Sequence, residues 1–186
     1  MLHRVVLDAC VIFPMPLCDT LLRAAEAEFY RPYFSQEILD EVTRNLVKQE
    51  KMTEAKAARY QSHIKSAFPE AMVELSDQLV NLMTNHPKDR HVVAAAVKAK
   101  AEVIVTFNLK DFPQNSLEPF GVEAQHPDDF LLELCENCTA SSLLQIIKEQ
   151  AEALKRPPHT VKDILRKLSN QVPLFVERIL SQEGQY

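Results

Sequence analysis

The sequence predicts an α/β fold: a central parallel sheet with helices on both faces, followed by a helical C-terminal extension. Three observations carry this. Short runs rich in β-branched residues alternate with helix-periodic segments as far as about residue 125. The strongest strand candidates, Val5-Val6-Leu7 and Val103-Ile104-Val105, are apolar throughout, as strands covered on both faces are. From about His126 onward no strand candidate occurs, and leucine- and isoleucine-rich helical segments take over.

Each element follows from local chemistry. Arg4 to Leu7 is a strand ending at Asp8, and Pro16 suits the first turn of a helix over Leu17 to Glu26. Phe29 to Phe34 reads as a second strand. Ser35 is a good N-cap for a helix carrying Ile38, Leu39, Val42 and Leu46. Thr53 caps the next helix, which Pro69 stops. Ala71 to Leu75 is a third strand candidate, and Asp77 to Met83 a short helix. Asp89 opens an alanine-rich helix over Arg90 to Lys100, then Glu102 to Thr106 is a buried strand and Val122 to Ala124 a last short one. Beyond Pro127 the pattern gives three or four helices: one around Leu131 to Leu134, one around Leu143 to Ile147, one over Val161 to Leu168 capped by Thr160, and one over Leu174 to Leu180. The expected division is an α/β domain over 1–125 and a helical extension over 126–186.

Composition narrows the function classes. With two glycines in 186 residues, neither a dinucleotide-binding G-x-G-x-x-G turn nor a Walker A loop is present. A formal charge of -5 argues against a broad sequence-independent coat for duplex DNA. No apolar run approaches a membrane span and no secretory leader is evident, so a cytoplasmic protein without membrane contact is expected. Cys135 and Cys138 form a C-x-x-C pair, but no second pair or suitably spaced histidines complete a zinc site, so these read as buried or incidental thiols.

The acidic residues are more informative. Asp8 ends the first strand, Glu41 lies on the helix after the second, Asp89 starts a helix, and Asn108 and Asp111 follow the strand that ends at Thr106. In an open parallel sheet, residues past the carboxyl ends of strands gather in one crevice. Carboxylates crowded there repel one another unless a cation offsets them, and oxygen-only donors favour Mg²⁺ or Mn²⁺. Such a site is suited to phosphodiester hydrolysis.

Four segments carry a family resemblance. Val5-Val6-Leu7-Asp8-Ala9-Cys10-Val11 resembles the opening of a PIN domain. Ser35 to Val42, Asp89 to Ala96, and Val103 to Phe112 resemble that family's later motifs, the last in the form found in VapC-type toxins. The resemblance runs from about residue 3 to 125 and implies a PIN-like three-layer fold that cleaves single-stranded or structured RNA with Mg²⁺ or Mn²⁺. It implies metal ligation by Asp8, Glu41 and Asp89, with Asp111 supplying a carboxylate where Asn108 departs from the usual acid. Thr106 matches a hydroxyl position that helps hold water or metal, and His86 stands where some relatives carry another acid. An antitoxin partner and a homodimer are also implied, though nothing in the residue pattern shows the dimer. The C-terminal segment resembles the helical extension of one VapC-like subgroup.

Plainer readings stand beside these. Asp8 and Asp89 suit helix N-caps, Glu41 a solvated helix face, Asn108 and Asp111 turns, and His86 and His91 surface or packing positions. Arg90 and Lys110 flank the acids and are candidates for RNA phosphates. An aspartate-nucleophile phosphatase is disfavoured because Cys10 occupies the place of its second acid. A catalytically silent RNA-binding or scaffold protein of the same fold remains as the alternative.

Overall fold

The computed structural model describes residues 2–13, 15–155 and 157–183. Five parallel strands form one sheet in the order β3-β2-β1-β4-β5. They are β1 (Arg4–Leu7), β2 (Arg31–Ser35), β3 (Met72–Val73), β4 (Val103–Val105) and β5 (Glu123–Gln125). The helices between them are α1 (Ala9–Ile12), α2 (Leu17–Glu26), α3 (Gln36–Lys48), α4 (Glu54–Ala67), α5 (Asp77–Leu82), α6 (Arg90–Ala99) and α7 (Gln114–Leu117). Four more follow: α8 (Pro127–Cys138), α9 (Ala140–Ala153), α10 (Val161–Leu168) and α11 (Pro173–Glu183). The α/β class and the C-terminal helices are those the sequence predicts.

Local chemistry sets most boundaries. Val5, Val6 and Leu7 are buried because β1 pairs on both edges, Val6 lying opposite Tyr33 of β2 and Ile104 of β4. The Ser35 hydroxyl accepts from the Ile38 amide and the Thr53 hydroxyl from the Lys56 amide, so both caps form. Thr160 and Asp163 make a reciprocal capping box at α10. Helix α6 buries Val92 to Ala96 completely, and its small side chains let it pack against β1, β2 and β4. It ends at Lys100 in the left-handed conformation, φ 54°.

Several elements differ from the sequence reading. The third strand shrinks to Met72–Val73, because only these residues find backbone partners on β2. The one-turn helix α1 directly after Asp8 is too short to leave a periodic signal. The compact units also depart from the linear division 1–125 and 126–186. One comprises Met1–Phe13 with Tyr30–Gln125, the other Pro14–Phe29 with His126–Tyr186. Helix α2 therefore belongs with the C-terminal helices. It packs on α9, and Gln150 of α9, fully buried, accepts from the Thr20 hydroxyl (2.9 Å) and donates to the Pro16 carbonyl (3.0 Å).

Within the second unit, the buried Asp128 accepts from the Leu174 and Phe175 amides at 3.0 and 2.8 Å, closing the start of α11. Cys135 and Cys138 are free thiols on α8, the first buried, and burial pushes Cys135 up to about 11. Among the described residues neither belongs to a metal-competent cluster.

Candidate active site

The carboxyl ends of β1 and β4 lie side by side, because Leu7 pairs with Val105 and the Asp8 amide extends the ladder to the Val105 carbonyl (3.1 Å). This brings Thr106 against Asp8. The Thr106 hydroxyl donates to Asp8 Oδ2 at 2.7 Å, and the Cys10 thiol donates to the same oxygen at 3.1 Å. The backbone beyond β4 holds these two donors in turn: the Phe107 amide donates to Cys10 Sγ (3.2 Å) and the Asn108 amide to Thr106 Oγ1 (3.0 Å). Asp8 occupies the N-cap position of α1, yet its side chain makes no capping bond, so the cap reading fails on geometry. Burial, above all, pushes the Asp8 carboxyl above its ordinary range, with Glu41 adding to the rise and the Thr106 and Cys10 bonds opposing it. Cys10 is pushed well above the usual thiol range by burial and by Asp8, which makes it a hydrogen-bond donor rather than a thiolate.

Beside this pair opens a cleft of about 770 Å³. Helix α3 lines it with Glu37, Glu41 and Arg44, one face at helical spacing, together with Asp40 and Asn45. The start of α6 and the turn before it supply His86, Lys88, Asp89 and His91, and the turn after β4 supplies Asn108, Lys110 and Asp111. Asp89 also sits at an N-cap position without capping. Its Oδ2 instead faces His86 Nδ1 at 3.2 Å. Burial first, and then Asp8, Asp111 and Glu41, push the Asp89 carboxyl upward, while the His86 contact pulls it down. Ligand atoms of His86, Asp89 and Asp111 lie within 4.8 Å of one another, and among the described residues no other such group of three occurs.

Glu41 meets His91, Oε2 to Nε2 3.5 Å, a long ion pair in which Nε2 has no partner of ordinary hydrogen-bond geometry. His91, chiefly, and Arg44 hold the Glu41 carboxyl below its usual range, with burial opposing. For His91 burial works the other way, yet Glu41, Asp8 and Asp89 together hold its imidazole above the usual value.

The structure redistributes the residues nominated from sequence. Glu41, Asp89, Asn108 and Asp111 line one cleft and Asp8 is within its electrostatic reach. Thr106 is fully buried and its hydroxyl donates to Asp8. Lys110 lines the cleft; Arg90 does not, its Nε turning back to the Asn85 carbonyl (3.4 Å). From sequence, Cys10, Arg44 and Lys88 carry no assigned site role, His91 reads as a surface or packing position, and His86 reads both as that and as standing in an acidic slot of the family. Arg44 had a further legible signal, three positions after Glu41 on one helix face.

Comparison with known proteins matches the sequence to a family. A model described as PIN domain covers residues 4–110. The chain belongs to the PIN-domain family. A second model, the VapC50 C-terminal domain, matches residues 127–181. The PIN-domain chain is also 46% identical over 105 residues to "Putative ribonuclease VapC50" of Mycobacterium tuberculosis, an alignment covering 55% of this chain and 60% of that protein. The PIN family implies a divalent cation. The donor set fits one: carboxylates from four elements approach one another, and burial first, with neighbouring carboxylates adding to it, raises Asp8 and Asp89, a cost that a hard cation offsets.

Proposed function

We propose that the protein is a metal-dependent endoribonuclease acting on single-stranded RNA, and that it is the toxin of a toxin–antitoxin pair. The observation that supports this best is the convergence of Glu41, Asp89 and Asp111 on one open cleft, with Asp8 within electrostatic reach of Asp89 and with Arg44, Lys88 and Lys110 as its exposed cations. In this reading those four carboxylates hold Mg²⁺ or Mn²⁺, which supplies charge neutralisation at the scissile phosphate and activation of water. Thr106 and Cys10, both donating to one oxygen of Asp8, would hold that carboxylate in a fixed orientation for the cation. Arg44, Lys88 and Lys110 hold flanking phosphates, and Asn108 offers a neutral amide beside them. The half-buried Glu41 and Asp89 repel the phosphodiester until the cation is in place, which makes RNA engagement metal-linked.

The test is cleavage of a single-stranded RNA by Asp8→Asn. The substitution keeps shape and removes the charge, and the rate is expected to fall at least about a hundredfold, the order lost with a central electrostatic contributor. Asp19→Asn, on α2 in an ion pair with Arg23 (3.0 Å), serves as control and should cleave at the parent rate. Equal rates for the two variants would leave a silent RNA-binding scaffold as the better reading. Cleavage that persists in excess chelator refutes the metal. The partner proposal is checked by co-expression with the product of the neighbouring reading frame, and the homodimer by light scattering.

A further inference from the structure

We propose that His86 is itself a ligand of the cation and that its imidazole shifts the site away from Mg²⁺ toward a first-row transition ion, Mn²⁺ being the probe. The inference deepens the nuclease reading and rests on it.

Geometry carries the proposal. One ring nitrogen of His86 and one oxygen each of Asp89 and Asp111 fall within 4.8 Å of one another. An ion with bonds of about 2.1 Å holds adjacent ligands about 3 Å apart and opposite ligands about 4.2 Å apart. The Nδ1–Oδ2 separation of 3.2 Å between His86 and Asp89 is already of the adjacent kind, and modest side-chain rotation closes the rest. The main chain holds the three residues in register. The His86 amide donates to the Asp111 carbonyl (3.3 Å), and the Asp89 amide donates to the His86 carbonyl (2.9 Å). A simple surface ion pair between His86 and Asp89 leaves Asp111 unexplained. Its carboxylate closes on the same point, and no ion pair to it occurs among the described residues.

Donor chemistry gives the selectivity. Mg²⁺ is a hard ion that takes carboxylate, carbonyl and water oxygens; imidazole suits iron, nickel, copper and zinc, and Mn²⁺, the first of that transition series though itself oxygen-preferring, accepts a ring nitrogen more readily than Mg²⁺ does. An imidazole also brings no negative charge, so Mg²⁺ gains less from this site than from one with a further carboxylate. His86 is half-exposed, and its replacement leaves the packed core untouched.

The experiment uses the full-length protein stripped of metal. Mn²⁺ binding is followed by electron paramagnetic resonance, and Mg²⁺ by displacement of Mn²⁺, for the parent, His86→Asp, His86→Ala and Asp8→Asn. The Mn²⁺-to-Mg²⁺ affinity ratio is expected to fall about tenfold or more in His86→Asp, and His86→Ala to lose Mn²⁺ affinity by about tenfold while Mg²⁺ affinity holds within about threefold. A second readout needs no activity: the Co²⁺-loaded parent should show a hyperfine-shifted exchangeable imidazole N–H proton that His86→Ala lacks. A ratio unmoved in His86→Asp, or a shifted N–H that survives in His86→Ala, overturns the proposal. If Asp8→Asn weakens Mn²⁺ binding in that case, the nuclease reading stands without it. A parent protein that binds no Mn²⁺ overturns both.

Discussion

Thr106→Val isolates the contact that orients Asp8. Valine preserves the branched shape and removes the hydroxyl. The fully buried Thr106 then no longer donates to Asp8 Oδ2 at 2.7 Å, and the Asn108 amide loses its acceptor at 3.0 Å. Asp8 is 3% exposed, so water does not replace the lost donor, and only the Cys10 thiol at 3.1 Å remains on that oxygen. A hydrogen bond to a buried charge contributes about 1.5–3 kcal/mol, whereas the Asn108 amide, in an exposed turn, regains water at little cost. The expected loss is therefore about 2–3 kcal/mol near neutral pH, a fall in Tm of about 4–12 °C for a chain of this size.

The sign of the pH dependence follows from Asp8. Its carboxyl is raised above the unfolded value of 3.8, and the bond is charge-assisted only while Asp8 is ionised. The cost of Thr106→Val should thus be full above the variant's Asp8 pKa, which the lost bond raises further, and shrink toward about 1 kcal/mol as pH falls through it to the parent's. Thr106→Ser keeps the donor, loses one methyl, and should cost about 1 kcal/mol at every pH. Urea denaturation of metal-free protein across the acid range gives these values. Equal losses for Val and Ser, or a Val loss independent of pH, would refute the argument.

Three further outcomes are expected. The Glu41–His91 pair combines a carboxyl held below 4.5 with an imidazole held above 6.5, so its contribution is complete between about pH 4.5 and 6.5 and fades on either side. His91→Gln should therefore cost most stability inside that window, and Glu41→Gln should lower the His91 titration midpoint read by NMR. Asp128→Ala orphans the Leu174 and Phe175 amides at the start of α11 and should cost about 2–3 kcal/mol in denaturation, with Asp128→Asn milder because an acceptor remains. Truncation after Gln125 leaves the buried Leu17, Leu21 and Ala24 of α2 without α9, so the shortened chain should aggregate; restored solubility on deleting 14–29 as well, with a short linker, would support that cause.

Much was decided locally, and so was legible from the sequence alone. Strand β1, the caps Ser35, Thr53 and Thr160, the alanine-rich α6 and the helical C-terminal segment all follow from neighbouring residues: β-branched runs, hydroxyls before helical periods, and prolines that stop them. The acids after the strands were legible too, because parallel topology alone sends the carboxyl ends of β1 and β4 to one edge of the sheet. What only the tertiary structure decided is which side chains meet there. Cys10 and Thr106 converge on one oxygen across 96 positions of sequence. His91 turns toward Glu41, and Arg90 turns away from the cleft. Helix α2, read in line with the first strand, packs instead on a helix some 130 residues further along. Periodicity records which residues want to be buried, but the partner that buries them, and the direction a side chain takes at a helix end, depend on strand register and packing that no local window contains.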